Sequence, residues 1–397
     1  MEIPNIYRGN YRRLAAIPFI FLAISLYLIF ISPGIPAGID LRGGILITLQ
    51  TTSDVNPDML TQSLASELGV RDVGVKTAPG PMGTTGVEIE IEQNEQLAEA
   101  EKGLREFYIQ YGTYTEADYA ITSTTGYLQS SNLTDAERSR AEAQLGEATA
   151  IRDAAWGEML INADKVFSAA APLIGKVSPE EGESATGLMG LVASTYADAK
   201  GVYRDKVLGV LRSQMDFTDV AYKDVSPSLS EFFLQKTYEV IFISLIFSAV
   251  VVLLIFRTLV PSFAVMFSAI NDIIFALGAM ALFQIPLTLA SVGALLMLIG
   301  FSLETNLLVT IRVLKRGEGS PSDRAYGAMK TGVTMQTAAL IAFVVLLVLS
   351  IFTQLPAYYQ IASVAIAGLI GDIIATWGTN AVLILGYQEK KQKGGMR

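Results

Sequence analysis

Six long apolar runs constrain this chain more than any other feature of its sequence. The first, Leu14 to Ser32, is 19 residues long. As a helix it would span about 28 Å, close to the ~30 Å hydrocarbon thickness of a bilayer. Five more runs follow a long polar stretch: Val240–Phe256, Phe263–Phe283, Leu287–Ile311, Thr331–Phe352 and Tyr359–Tyr387. The sequence therefore predicts an α-helical polytopic membrane protein with six transmembrane helices.

Basic residues indicate which side of the membrane each connection faces. Lys and Arg cluster before the first run, after the fourth and in the C-terminal tail, whereas residues 284–286 and 353–356 carry none. By the positive-inside rule both termini are cytoplasmic. We read the first run as an uncleaved anchor, because Ser32-Pro33-Gly34 is a poor signal-peptide cleavage site. The predicted order is a cytoplasmic N-terminus (1–13), a first transmembrane helix (14–33), an extracytoplasmic domain (34–239), a five-helix bundle (240–387) and a cytoplasmic tail (388–397).

Composition excludes several classes of function. The chain has neither Cys nor His, so disulfides, Cys/His zinc sites and Ser-His-Asp triads are ruled out. The net charge of −9, without a basic stripe, argues against nucleic acid as a partner. There is no nucleotide-binding loop. We expect no enzyme activity, no cofactor and no metal. Residues 34–239 hold 16 basic and 31 acidic side chains, which we interpret as keeping this domain soluble.

The extracytoplasmic domain has the pattern of a small α+β fold. Period-2 alternation and turn residues predict strands, and capping signals predict helices. The predicted elements are a strand at Gly44–Thr51, a helix from Asn56-Pro57 to Leu68, strands at Val70–Thr77 and Val87–Glu92, a helix at Glu95–Tyr108 and a closing strand at Phe217–Lys223. Together they form a split βαβ, ferredoxin-like core (38–111 and 215–225).

Residues 112–214 are too many for a loop and carry their own helix signals. Thr134 with Glu137 forms a capping box, and Ser178-Pro179-Glu180-Glu181 resembles a second helix start. We predict a long antiparallel hairpin between Asp135–Ala171 and Pro179–Met215. The competing interpretation is a low-complexity linker. An apolar face favours the helices; it contains Leu145, Ile151, Trp156, Leu160, Val166 and Phe167.

Three carboxylates lie inside the predicted spans, where a charge costs several kcal/mol. They are Asp272, Glu304 and Asp372, and no Lys or Arg lies at the same depth. We expect them to face one another in the bundle, to exchange protons near neutral pH, and to have amide partners at Asn271, Asn306 and Asn380. The alternative is purely structural hydrogen bonding between helices.

Enzyme-like uses of these carboxylates find little support. An intramembrane aspartyl protease needs Gly-x-Gly-Asp, whereas Leu369-Ile370-Gly371 precedes Asp372. A metal site made of the same acids has no characteristic spacing.

Several motifs resemble one family. Gly38-Ile39-Asp40-Leu41-Arg42-Gly43-Gly44 is similar to the Gly-hydrophobe-Asp-x-x-Gly-Gly element of SecD and SecF, accessory subunits of the Sec protein-export machinery. Val225-Ser226-Pro227-Ser228-Leu229 is similar to their Val-Gly-Pro-x-Leu element. Gly300–Arg316, Lys330–Met335 and the run from Gly371-Asp372 to Asn380 look most like the SecF of archaea. The chain is thus identified as a member of this family.

The resemblance implies a fold of the RND superfamily, with this chain as half of a twelve-span pair completed by a SecD-like six-span subunit. It implies contact with the Sec translocon channel and with a translocating unfolded polypeptide. Movement could be coupled to proton flow through Asp272, Glu304 and Asp372. Gly38, Asp40, Gly43 and Gly44 would shape a hinge between the first span and the first strand. The resemblance implies nothing about the hairpin at 112–214.

Two other functions stay open at this point. One is an RND-type exporter of small molecules or lipids. The other is a structural subunit that stabilises the translocon, with the hairpin as a docking arm.

Overall fold

The computed structural model describes residues 5–53, 55–79, 84–130, 132–178, 184–317, 319–353 and 355–394. The chain forms two compact units. The membrane unit comprises Met1–Gly43, Ala78–Gly86 and Leu229–Arg397, and the αβ unit comprises Gly44–Thr77 and Val87–Ser228. In chain order the elements are α1 (Ala16–Phe30), α2 (Ile39–Arg42), β1 (Gly44–Thr51), α3 (Pro57–Leu68), β2 (Val73–Pro79), β3 (Thr85–Ile91), α4 (Glu95–Leu128), α5 (Asp135–Ile174), α6 (Ala185–Gln214), β4 (Phe217–Val225), α7 (Pro227–Phe256), α8 (Leu259–Phe283), α9 (Leu289–Lys315), α10 (Pro321–Thr353), α11 (Pro356–Ala375) and α12 (Ala381–Gly394).

The prediction of six transmembrane helices is confirmed. Among the described residues, six helices are long and apolar enough to cross a bilayer. The first includes a 3₁₀ turn, Tyr11–Ala15, before α1. The last joins α11 and α12 through a π-helical segment, Thr376–Asn380. The spans are Tyr11–Phe30, Leu229–Phe256, Leu259–Phe283, Leu289–Lys315, Pro321–Thr353 and Pro356–Gln392.

Within the membrane unit, α8, α9 and α11 form the packed centre, whereas α1, α7 and α10 leave most of their surface exposed. Glycines allow the close approach of these helices. A Cβ added at Gly278, Gly368 or Gly371 would overlap a side chain of the neighbouring helix. Small residues at such contacts permit the van der Waals packing that associates helices in lipid.

The αβ unit is a four-stranded sheet with helices packed on it. The strand order is β2-β3-β1-β4, and β1 pairs antiparallel with β4 from Gly44↔Val225 onward. Alternate residues of β1 enter the core, where they meet α3 and the C-terminal half of α6. The core residues include Ile45, Ile47, Leu49, Leu60, Leu64, Tyr203, Val207 and Leu211.

The predicted strands and the first helix of the αβ unit are all present, with ends shifted by at most three residues. Asn56 caps α3, because its side chain accepts from the backbone N–H groups of Asp58 and Met59. The capping box of Thr134 and Glu137 is also present. The ferredoxin-like assignment itself stays a prediction.

The helical insertion differs from the predicted hairpin. The helix expected to end at Tyr108 continues as α4 to Leu128, so the expected boundary at 112 lies inside a helix. Gly103 of α4 lies against Asn162 and Val166 of α5, and α4 and α5 form the hairpin. The predicted second helix start at Ser178–Glu181 falls mostly on 179–183, outside the described residues.

Helix direction explains why α6 is not the second arm of that hairpin. Met159 of α5 and Leu188 of α6 share the cluster remote from the sheet. Ala170 of α5 and Ala199 of α6 share the cluster at the sheet. Both helices therefore run toward the sheet and are parallel. Only α4, which leaves the sheet at Leu97, can be the antiparallel partner of α5.

Gly103 tests this packing. A Cβ at Gly103 would lie 3.0–3.2 Å from Val166, Asn162 and Lys165, whereas nothing lies within 4 Å of one at Gly112. We expect Gly103→Leu to lower the opening free energy of α4 by about 1–3 kcal/mol through overpacking. Gly112→Leu, farther along α4, should be neutral or stabilising by up to about 1 kcal/mol. Amide hydrogen exchange of the full chain in detergent measures both, and equal effects would contradict the α4–α5 hairpin.

Candidate functional site

A buried polar cluster lies in the membrane unit between α8, α9, α10 and the last span. Its two acids are Asp272 of α8 and Asp372 of α11, each 1% exposed. Helix α9 contributes three neighbouring polar residues, Ser302, Thr305 and Asn306, and all three are buried. Apolar residues surround this cluster on the same helices, so its polar groups must find partners in one another.

Asp372 draws hydrogen bonds from three helices. Gln336 of α10 donates through Nε2 to Oδ2 at 2.6 Å. Thr376, one turn after Asp372, donates to Oδ1 at 2.6 Å. The Thr305 hydroxyl of α9 lies 3.0–3.1 Å from both carboxyl oxygens. These donors replace water around the carboxyl group, which makes its burial in the bundle feasible.

Asp272 is held on one side only. Its Oδ2 accepts from the Ser302 hydroxyl, while its Oδ1 has no partner among the described residues. Asp272 and Asp372 are close enough to interact electrostatically. No Lys or Arg pairs with either carboxyl in the part of the chain that the structure describes. Two carboxyls placed this way can share protons as a coupled pair.

Two asparagines extend the cluster along α9. Asn306 donates to the Ser302 carbonyl at 2.8 Å and lies 3.1 Å from its hydroxyl. Asn380 donates to the Asn306 carbonyl at 3.1 Å. The side-chain oxygens of both amides are buried and lack a donor among the described residues. Asn271 is buried beside Asp272, but the structure gives it no hydrogen bond to either carboxyl.

A π-helical segment follows Asp372 and is fixed from two sides. Trp377, inside the segment, donates from Nε1 to Gln336 Oε1 at 3.1 Å. The Tyr7 hydroxyl donates to the Trp377 carbonyl at 2.9 Å. Gln336 therefore bridges Trp377 and Asp372. Segments of π-helix within α-helices are common at functional sites.

The glycine motif after the first span connects to this site through α9. Gly38 donates its N–H to the Leu287 carbonyl at 2.9 Å, and a Cβ there would overlap Thr288, the N-cap residue of α9. Buried Asp40 accepts from the backbone N–H of Leu289 at 3.3 Å. A carboxylate at a helix N-terminus is favourable for the helix dipole. The motif thereby fixes the first turn of α9.

The two glycines that end the motif have positive φ. Gly43 has φ +79°, and Gly44 has φ +131° with the Ile91 carbonyl 2.5 Å from an added Cβ. Side chains are therefore excluded at Gly44 by conformation and by space.

Glu304 does not join the cluster, so the expectation that all three carboxylates face one another is wrong for this residue. It is exposed on α9. Ser302, Thr305 and Asn306 occupy the inner face of α9. Each residue of an α-helix is rotated by about 100° from the one before it, so Glu304, two positions after Ser302, points about 200° away from it.

Sequence reasoning missed Gln336 and the hydroxyl members of the cluster. Gln336 gave a signal, because an amide in the middle of an apolar run must find a partner. Ser302, Thr305 and Thr376 gave little signal, since a Ser or Thr hydroxyl can donate to a backbone carbonyl of its own helix.

Comparisons with known proteins agree with the motifs. The family described as "Protein export membrane protein SecD/SecF, C-terminal" matches residues 207–390. A relative from Methanothermobacter thermautotrophicus, "Protein-export membrane protein SecF", is 47% identical over 43% of this chain and 60% of its own length. The protein of the same name from Methanopyrus kandleri is 32% identical over 56% of this chain and 78% of its own length.

The chain spans about three fifths of the length of the first curated relatives it matches. Among solved structures, SecDF from Thermus thermophilus, described as a translocon-associated membrane protein, aligns with 96% of this chain and 59% of its own, at 13% identity and a TM-score of 0.47.

Gln336 offers a test of the cluster. Gln336→Leu leaves Trp377 Nε1 without an acceptor and removes a donor from Asp372, so we expect the free energy of unfolding to fall by about 1–3 kcal/mol. The control is the adjacent Thr337→Leu, which should change little. Thr337 is exposed, and among the described residues its hydroxyl donates only to the Val333 carbonyl of its own helix. Thermal unfolding in detergent, followed by tryptophan fluorescence, measures both. A Gln336→Leu chain as stable as the control would contradict the bridging role.

Proposed function

Because the chain belongs to the SecD/SecF family of protein-export membrane proteins, we propose that it is a non-enzymatic accessory subunit of the Sec machinery. It acts with a SecD-like six-span subunit to promote polypeptide translocation across the cytoplasmic membrane. The observation that carries the proposal further than family membership is the buried pair of Asp272 and Asp372. Such a pair, without a cation partner among the described residues, is typical of proton relays in transporters.

The proposed mechanism is a change in proton occupancy that alters the packing of three helices. Asp372 as a carboxylate accepts from Gln336 and Thr376; as a neutral acid it is itself a donor and loses part of that set. Asp272 can exchange a proton with it through their interaction. A proton crossing ~100 mV releases about 2.3 kcal/mol. That energy biases a two-state element by about fiftyfold.

Helix α9 is the proposed transmitter of that change. It presents Ser302 and Thr305 to the two acids, and its first turn is fixed by Gly38 and Asp40. The motif leads along the chain through Gly43-Gly44 into β1. We propose this junction as the hinge through which the membrane unit moves the αβ unit.

The proposed orientation places both termini in the cytoplasm and the large domain, 34–239, outside. There the αβ unit would contact the translocating unfolded polypeptide, and the membrane unit would contact the Sec translocon channel.

Neutralising the acid pair tests the function. We expect Asp272→Asn and Asp372→Asn each to reduce export of an unfolded reporter at least tenfold in cells that depend on this chain, with normal membrane levels. Asp198→Asn is the control, because Asp198 is exposed on α6, and it should retain full export. Proton uptake into vesicles containing the chain and its partner should fall with the two buried variants only.

Other outcomes identify the rival functions. Full export by the double variant Asp272→Asn/Asp372→Asn would contradict proton coupling and favour a scaffold. Substrate-stimulated efflux of small molecules by the purified chain alone would favour an exporter instead.

The absence of Cys in the sequence makes orientation directly testable. Tyr119→Cys lies on α4, where the native side chain is 76% exposed, and Lys390→Cys lies in the C-terminal tail. We expect a membrane-impermeant maleimide to modify Tyr119→Cys in intact spheroplasts and Lys390→Cys only after lysis. The reverse pattern would invert the proposed topology.

A further inference from the structure

The asparagines of the chain single out one tripeptide that the proposed function does not use. There are nine asparagines, and only Asn132 is followed two positions later by Ser or Thr, with Leu133 and not Pro in between. Asn-x-Ser/Thr with a residue other than Pro in the middle is the acceptor sequence for N-linked glycosylation. Such a tripeptide arises easily by chance in a chain of this length, so only its location in the fold can give it meaning.

Asn132 lies in the turn between α4 and α5, the two helices of the hairpin. Its side chain is exposed, and it makes no hydrogen bond to any described residue. Helix α5 begins at Asp135 and reaches the sheet at Ala170, so about 50 Å of helix separates this turn from the sheet. We call Gln129, Ser130 and Asn132–Thr134 the hairpin tip.

The other asparagines have different surroundings. Four are buried within helices: Asn162, Asn271, Asn306 and Asn380. Two cap α3 and α4 with their side chains, Asn56 and Asn94, and the remaining two precede the first span. Of the nine, all of which lie within the described residues, only Asn132 is exposed, has no capping role and belongs to the proposed extracytoplasmic domain.

The surroundings of the hairpin tip are polar. Among the described residues from 128 to 150, no large apolar side chain is exposed. The exposed side chains there include Asp135, Glu137, Arg138 and Arg140. A surface of this kind is solvated, and it accommodates a hydrophilic oligosaccharide better than lipid or an apolar protein partner.

The hydroxyl residue of the tripeptide is accessible as well. Thr134 has an extended backbone, with φ −72° and ψ 156°. Its hydroxyl donates to Glu137 Oε2 at 2.7 Å and accepts from the Glu137 backbone N–H at 3.3 Å. Both bonds are exposed and belong to the first turn of α5, where helices fray. A transferase can therefore take up the tripeptide by opening one helical turn, with the rest of the hairpin intact.

We propose that Asn132 is N-glycosylated, which makes the hairpin tip an oligosaccharide attachment site. The donor is a lipid-linked oligosaccharide, and the catalyst is a membrane oligosaccharyltransferase. The Asn132 side-chain nitrogen forms a bond to C1 of the first sugar, and the bond between C1 and the lipid phosphate oxygen breaks. The lipid phosphate leaves with the electron pair, and one amide proton passes to a base of the transferase. The proposal rests on the proposed orientation, which places residues 34–239 outside.

Mass spectrometry of the chain purified from its own membranes tests the site. Trypsin cleaves after Arg105 and Arg138 and releases peptide 106–138, which has no internal Lys or Arg. We expect this peptide to carry a glycan, located on Asn132 by fragmentation that preserves the glycosidic bond, and Asn132→Gln to abolish it. A peptide found only at its unmodified mass would overturn the proposal, and so would a glycan on its Ser or Thr residues instead.

Variants of Thr134 separate the acceptor sequence from the helix cap. Thr134→Ser keeps both, whereas Thr134→Asp keeps an N-cap residue but destroys the acceptor sequence. We expect the glycosylated fraction of peptide 106–138 to stay within threefold of wild type in Thr134→Ser and to fall at least tenfold in Thr134→Asp. Amide exchange in α5 should be the same in the two variants. Equal glycosylation of both would overturn the proposal.

A second acceptor sequence tests the dependence on location. The double variant Lys390→Asn/Gln392→Thr creates Asn-x-Thr in the C-terminal tail, which the proposed orientation places in the cytoplasm. We expect it to stay unmodified in the same cells, and modification of both the tail and the hairpin tip would overturn location as the reason for choosing Asn132.

The labelling of Tyr119→Cys distinguishes failure of this site from failure of the proposed function. If that variant is labelled in intact spheroplasts but Asn132 carries no glycan, the modification site is wrong while the proposed orientation and function stand. If Tyr119→Cys is labelled only after lysis, the orientation and the modification site both fail.

Discussion

The hydrogen bonds to Asp372 are the interaction on which the membrane unit depends. A carboxyl group at this depth is tolerated only if donors replace water, and here the donors come from α9, α10 and the turn after Asp372 itself. The packing of the central helices therefore also supplies the hydrogen bonds that replace water around this carboxyl group. Gln336 also binds Trp377, so the π-helical segment belongs to the same network.

Helix α9 meets three different surroundings along its length. Its N-terminus is fixed by Gly38 and Asp40, its inner face reaches both buried acids, and its outer face carries Gly300 and Glu304. In the proposed mechanism this helix, as a rigid element, transmits a displacement at one of these points to the others. This arrangement gives a physical reason for a motif after the first span to matter for a site in the middle of the membrane.

Glu304 shows where reasoning from charge alone reaches its limit. All three membrane carboxylates have the same cost in lipid, and one sequence cannot say which of them share a space. Helical spacing separates Glu304 from Ser302, but the inward face of α9 is known only once Asp272 and Asp372 are seen beside Ser302 and Thr305. The end of α4 was missed for a similar reason. Beyond Tyr108 this helix is rich in Thr and Tyr, which are weak helix formers, and its stability comes from packing against α5.

The sequence by itself determined the six spans, the succession along the chain of the strands and the first helix of the αβ unit, and the capping box at Thr134. These features follow from hydropathy, from a period of two or 3.6 residues, and from contacts a few residues apart. Only the tertiary structure decided that α4 pairs with α5, that Gln336 joins Asp372 to Trp377, and that Glu304 lies outside the cluster. Each of these depends on which faces of distant helices meet, and that choice is made by packing over the whole chain.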